Sequence, residues 1–221
     1  MTVTANETET TYDAPAGATL PPLEDLPQVA GTAGPDEQVL QADYYDTADL
    51  RLIRAGITLR RRGGEDAGWH LKLPAGANSR SEIRLPPGRS GQRVPTELAS
   101  LVRAHTRGEP LRPIAHLTTR RRMLVLLGQD GESLAEVAVD DVRAQTLGDS
   151  TTVSRWDEVE VELTNGNRRL LRAADGLLRR AGLHPAGRAA KLERALSGRL
   201  PGPEHAPAPN ASSPAGQVVL A

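Results

Sequence analysis

The 221-residue chain sets 27 Lys and Arg against 28 Asp and Glu, a net charge of −1, so no global basic field recruits nucleic acid and any electrostatic site is local. It has no Cys, which excludes disulfides, thiolate nucleophiles and Cys-held metal centres, and its 2% aromatics with no Phe are too few to stack bases along a strand. No run of about 18 apolar residues marks a membrane span, and MTVTANETET lacks a charged region followed by an apolar one, which points to the cytoplasm.

In chain order, period-two patterning predicts strands near 3–12, 38–45, 56–62, 68–73, 80–85, 115–127, 133–142 and 154–163. Helical spacing predicts short helices over Leu23–Val29 and Thr47–Ala55, one over Thr96–Thr106, one over Asn167–Ala181 and a last one over Gly187–Leu196. The class is α+β. About eight strands suffice to close a barrel and leave no open edge, giving an eight-stranded antiparallel closed β-barrel with covering helices. Residues 1–197 read as this one domain. Residues 198–221 read as a Pro/Ala-rich linker that cannot pack a core.

The strands carry their charges on one face. In ITLRRRGGEDAGWHLKLP, Arg60 and Arg62 oppose Leu59, while His70 and Lys72 oppose Trp69, Leu71 and Leu73. SRSEIRLP puts Arg80, Glu82 and Arg84 together, and TTRRRML does so for Arg120 and Arg122. The acidic strands are NETETTYD with Glu7 and Glu9, LAEVAVDD with Glu136 and Asp140, and RWDEVEVEL with Glu158, Glu160 and Glu162. A wet outer face explains any one of these strands. It does not explain segregation of sign by strand, because like charges in a row repel and solvated strands intersperse them. Pointed inward, the same faces make a tunnel in which Arg and Lys cradle a polyanion and carboxylates hold Mg²⁺ or Mn²⁺. His70 fits a hydrogen-bonding wall position better than a metal site, since the five His lack ligand spacing.

The run YYDTADLRLIRAGITLRRRGGEDAGWHLKLP, with RSEIRLP, LAEVAVDDV and RWDEVEVEL, resembles the CYTH domain of triphosphate tunnel metalloenzymes, and more closely the CYTH half of bacterial CYTH-CHAD proteins. The resemblance spans roughly residues 3–197 and implies a divalent-metal-dependent triphosphatase acting on inorganic triphosphate or short polyphosphate in a charged tunnel. It implies metal positions at Glu7, Glu9, Glu136, Asp140, Glu158, Glu160 and Glu162, with Glu7, Glu9, Glu160 and Glu162 central to catalysis. It implies phosphate positions at Arg60, Arg62, Lys72, Arg80, Arg120 and Lys191. Thr11 stands where the family's N-terminal Glu-x-Glu-x-Lys motif has Lys, and Thr118 where close relatives often place Arg. The terminal AGQVVLA is similar to the opening of a CHAD domain, which would make that domain a partner in a longer chain. The alternatives are a non-catalytic polyphosphate-binding module and an enzyme for another triphosphate, such as thiamine triphosphate or a nucleotide.

Overall fold

In the computed structural model, residues 3–64, 67–76, 79–88, 93–148, 150–186 and 191–200 are described. Eight antiparallel strands run through them: β1 (Val3–Ala14), β2 (Gly31–Asp46), β3 (Thr58–Arg62), β4 (Gly68–Gly76), β5 (Ser79–Leu85), β6 (Arg112–Leu127), β7 (Ser133–Thr146) and β8 (Val153–Leu163). Their order around the sheet is β5-β4-β3-β2-β6-β7-β8-β1, and pairing of β1 with β5 closes it. Closure is the expected eight-stranded barrel. A two-residue strand, β9 (His184–Pro185), pairs with the far end of β1 at Tyr12 and Asp13.

Burial decides which face of each strand points out. Leu59, Trp69 and Leu71, fully buried on the outer face of β3 and β4, pack with Tyr45, Leu52, Leu98 and Val102 under α1 (Arg51–Arg54), α2 (Thr96–Leu101) and α3 (Arg103–Thr106). On the opposite side, Tyr12, Ala135, Val137, Val159 and Val161 meet Leu170, Ala174 and Leu178 of α4 (Arg168–Arg180). Asn167 starts that helix by accepting from the backbone N–H groups of Arg169 and Leu170 at 2.9 and 3.2 Å, so two of its free donors are satisfied. With apolar residues drawn outward under helices, the alternating charged residues have only the interior left.

One end of the interior is filled. The short helix α5 (Lys191–Ala195) brings Leu192, Ala195 and Leu196 against Ala42, Tyr44, Leu117, Val142, Ala144 and Trp156. The Arg194 guanidinium pairs with Asp13 and lies 5.0 Å from the centre of the Trp156 ring, which fixes the helix across the barrel. Packing continues past the expected domain boundary at Ser197: Arg199 Nη1 donates to Leu147 O at 3.1 Å, and Leu200 packs on the same cluster. The linker expected beyond it lies, from residue 201, outside the described residues.

Three helical expectations change. Leu23–Val29 forms turns rather than a helix, with Leu23 and Leu26 buried against the α4 cluster. The helix expected over Thr47–Ala55 shrinks to α1, because Asp46 turns the chain in the preceding residues. Its buried carboxylate accepts from the backbone N–H groups of Thr47, Leu52 and Ile53 at 2.6, 2.9 and 3.0 Å. The Thr96–Thr106 helix breaks at Val102 into α2 and α3, and the first residues of the expected Gly187–Leu196 helix lie outside the described residues.

Candidate active site in the barrel interior

The inward residues line a cavity of about 270 Å³. Seven cations reach it: Arg60, Arg62, Lys72, Arg80, Arg84, Arg121 and Lys191. Five carboxylates face them: Glu7, Glu9, Glu136, Glu160 and Glu162. The cavity is therefore a place for a small polyanion rather than an apolar ligand. Its cationic side comes mainly from β3, β4 and β5, and its acidic side from β1, β7 and β8.

Strand register arranges the acidic side in rows. Glu9 on β1, Glu162 on β8 and Glu136 on β7 stand directly opposite one another, and the next aligned row places Thr11 beside Glu160. Further along, Asp13, Glu158 and Asp140 line up. The rows differ in their counter-charges. Lys191 Nζ reaches Asp140 at 3.0 Å and Glu160 at 2.6 Å and also pairs with Glu158, while Arg121 Nη2 joins Asp140 and Glu160 at 2.6 Å each. Asp140, Glu158 and Glu160 converge closely enough to hold a metal ion, yet these two cations already occupy that convergence.

Titration follows the same division. Burial works against Glu160, but Lys191 and Arg121 outweigh it and hold this carboxyl well below the usual range. Burial raises Glu158, with Lys191 opposing and Glu160 adding to the rise. Glu162 is pushed up to about 7, first by burial and then by Glu7, Glu9 and Glu136, against which Lys72 acts from a distance. Burial also raises Glu7, whose carboxylate touches Lys72 Nζ at 2.5 Å. Among the described residues, Glu9, Glu136 and Glu162 have no ion-pair partner, so this row carries uncompensated negative charge.

Glu82 organises the cationic side. It is fully buried, accepts from Arg84 Nε, contacts His70 Nδ1 at 3.2 Å and lies 4.0 Å from Arg60. Although burial favours its neutral form, His70, Lys72, Arg84 and Arg60 together hold Glu82 far below the ordinary range. His70 is thus the hydrogen-bonding wall residue expected of it. Arg60 Nη1 also donates to the Tyr44 hydroxyl at 3.3 Å. Burial alone would raise the Tyr44 phenol, but Arg60, Lys191 and Arg62 lower it.

The interior brings together Arg60, Arg62, Lys72, Arg80 and Lys191 of the expected phosphate positions and Glu7, Glu9, Glu136, Glu160 and Glu162 of the expected acidic ones. Asp140 and Glu158 are buried at the Lys191 end. Arg120 is a correction. It is exposed on the outer wall between Val39 of β2 and Asp141 of β7, and Arg121 takes the inward place. The inward face of β6 here is Leu117, Thr119, Arg121 and Met123, mostly uncharged, so the outward Arg120–Arg122 pair dominates the alternation. Thr118 shares that outward parity. Sequence reading also left Arg84 and Tyr44 without a role. Arg84 was legible from its parity with Arg80, whereas Arg121 shows only in its cross-strand pairing with Asp140.

A profile of the CYTH domain matches residues 11–190. An uncharacterized protein of Mycobacterium tuberculosis is 40% identical over 211 residues, covering 89% of this chain and 41% of its own length, so the chain spans less than half of the relative it matches. A Bacillus halodurans protein solved as a candidate adenylate cyclase superposes with a TM-score of 0.58 at 18% identity, over 86% of this chain and 97% of that one, a likeness of fold. A Hippeastrum protein described as having a dominant triphosphatase activity gives 0.47 at 19% identity over 90% of this chain and 99% of that one. With the profile extending over most of the chain and an eight-stranded barrel whose charges face inward, this protein belongs to the CYTH domain family.

Proposed function

We propose that this domain hydrolyses inorganic triphosphate or a short polyphosphate with the help of Mg²⁺ or Mn²⁺. The observation that carries the reading is the uncompensated row of Glu9, Glu136 and Glu162 beside Glu7, facing a wall of arginines and Lys72 across the same cavity. The donor chemistry suits a hard divalent cation: it is all carboxylate oxygen, and Glu162 is raised to about 7 first by burial and then by Glu7, Glu9 and Glu136, whose charge such an ion would neutralise. Glu7, Glu9, Glu136 and Glu162 would hold the ion. When bound, it polarises a phosphoryl oxygen and makes bound water more acidic.

The chain's own residues do the rest. Phosphoryl transfer asks a protein chiefly for positioning and charge stabilisation. Arg60, Arg62, Arg80 and Arg84 approach from one side with planar donors, and Lys72 sits where the basic and acidic walls meet, in contact with Glu7. Arg121 and Lys191, fixed by Asp140, Glu158 and Glu160, present pre-oriented cations that need no reorganisation when charge develops on the phosphate. On this assignment Asp140, Glu158 and Glu160 act by holding cations, and the metal role moves toward Glu162. No covalent nucleophile is needed.

The test is phosphate release from tripolyphosphate, pyrophosphate, ATP, thiamine triphosphate and long-chain polyphosphate, each with Mg²⁺, Mn²⁺ or a chelator. Metal-dependent release, greatest for tripolyphosphate, is expected. Binding without turnover under every metal would leave the polyphosphate-clamp reading instead.

A further inference from the structure

Closing a barrel covers each strand edge only as far as the neighbouring strand reaches. β1 pairs with β5 over residues 3–8, and beyond them β9 takes over that edge at Tyr12 and Asp13, with Ala186 N donating to Thr11 O at 2.9 Å. β2 outruns β3 in the same way. β3 covers it over residues 42–45, and Gly63 N then donates to Gln41 O at 3.0 Å. Alternate residues of a strand turn their N–H and C=O groups to opposite edges, so those of Glu37 and Val39 point the same way as those of Gln41. Among the described residues nothing pairs with them. Residues 33–39 are all exposed, and Val39, at 62%, is the most exposed large apolar side chain among the described residues.

The charges around this edge choose its occupant. On the outward face Arg122 lies opposite Glu37 and Arg120 opposite Val39. Both arginines are exposed and, like Glu37, have no ion pair among the described residues. Asp141, on the other side of Arg120, is already held by Arg155 through two contacts at 2.8 and 2.7 Å. Pro35 and Glu37 blunt the edge against indiscriminate pairing, so a strand that docks here must set a cation against Glu37. A second copy of β2 does so. Run antiparallel about a two-fold axis at Gln38, each Glu37 pairs with the other copy's Val39, which makes four backbone hydrogen bonds. Each outward row then reads Arg122 and Glu37 from one copy, Val39 and Arg120 from the other. Glu37 stands between two guanidiniums, and Arg120 gains a carboxylate about 10 Å away across two strand spacings, within reach of the two side chains.

We propose that the open edge of β2 is a homodimer interface, in which two copies pair β2 antiparallel across a two-fold axis at Gln38 and exchange ion pairs between Glu37 and Arg120. Gln38 and Leu40 of this strand also line the cavity, so the second copy borders its rim. The pairing does not depend on what the cavity binds.

Sedimentation equilibrium of the full 221-residue chain over a concentration series tests this. A concentration-dependent dimer is expected. Val39→Pro removes an N–H that faces the open edge and leaves the β6 ladder intact, so it is expected to keep the wild-type circular dichroism. It should dimerise about thirtyfold more weakly, because two symmetry-related hydrogen bonds are lost. Glu37→Arg and Arg120→Glu are each expected to be monomeric alone and to form a one-to-one heterodimer when mixed, since every reversed charge then meets its opposite. A wild type that stays monomeric at every concentration overturns the proposal. So does a dimer unchanged by Val39→Pro, or a mixture of the two charge reversals that fails to pair.

Discussion

Replacing Glu162 by glutamine removes one carboxylate from the row it forms with Glu9 and Glu136, and the consequence for stability has a definite sign. In the metal-free fold the Glu162 carboxyl is pushed from its ordinary 4.5 up to about 7, so between those values the folded chain keeps a proton that the unfolded chain has lost. Stability therefore falls as pH rises from 4.5 to 7 and then levels off. At about 1.4 kcal/mol per pKa unit, ionising this residue in the fold costs about 3 kcal/mol above neutral pH. Glutamine keeps the shape and abolishes the cost. Urea unfolding in chelator should show Glu162→Gln more stable than wild type by about 3 kcal/mol at pH 8 and equal to it near pH 4. Added Mg²⁺ should narrow the gap at pH 8 by stabilising the wild type more. A variant less stable at pH 8, or a difference indifferent to pH, would show that the row is not electrostatically frustrated and would remove the case for a cation there.

Three further outcomes follow from the same geometry. Lys191→Met leaves Asp140, Glu158 and Glu160 with Arg121 as their remaining close cation, and should lower stability by about 3 kcal/mol at pH 8 and by less at pH 4, where the carboxylates take up protons; paired urea melts check it. Arg121→Ala should lower kcat/KM for tripolyphosphate by about 30-fold, while outward Arg120→Ala changes it by less than about twofold, and steady-state kinetics of the two variants decide between strand faces. Truncation after Leu200 should leave the melting temperature unchanged, whereas truncation after Ser197 should lower it by a few degrees, because Arg199 and Leu200 dock on the cluster under α5.

The barrel was legible because most of its strands alternate and their apolar faces find helices. Leu59, Trp69 and Leu71 on one side and Val159 and Val161 on the other sit where period two puts them. Legibility ended where both faces of a strand are polar. Much of β6 presents its outer face to water, with Arg120 and Arg122 exposed, so charge no longer reports the inward direction there. Cross-strand partners were also invisible. Glu160 and Glu162 look alike in RWDEVEVEL, yet register sets Glu162 between Glu9 and Glu136 while the Arg121 and Lys191 side chains reach Glu160, and their carboxyls shift in opposite directions. The missing Lys at Thr11 acquires a structural counterpart in the same way. Thr11 stands opposite Glu160, and Glu160 accepts from Lys191, so α5 brings an ammonium to that neighbourhood from the other end of the domain.

The measurement that bears most directly on a metal-dependent phosphohydrolase is phosphate release from tripolyphosphate titrated with Mn²⁺, for wild type beside Glu162→Gln. Wild type should be silent in chelator and should saturate with metal, and the variant should need far more Mn²⁺ and reach a lower rate. Release that persists in chelator, or a variant with the wild-type metal dependence, would contradict the assignment of Glu7, Glu9, Glu136 and Glu162 as the cation-holding wall.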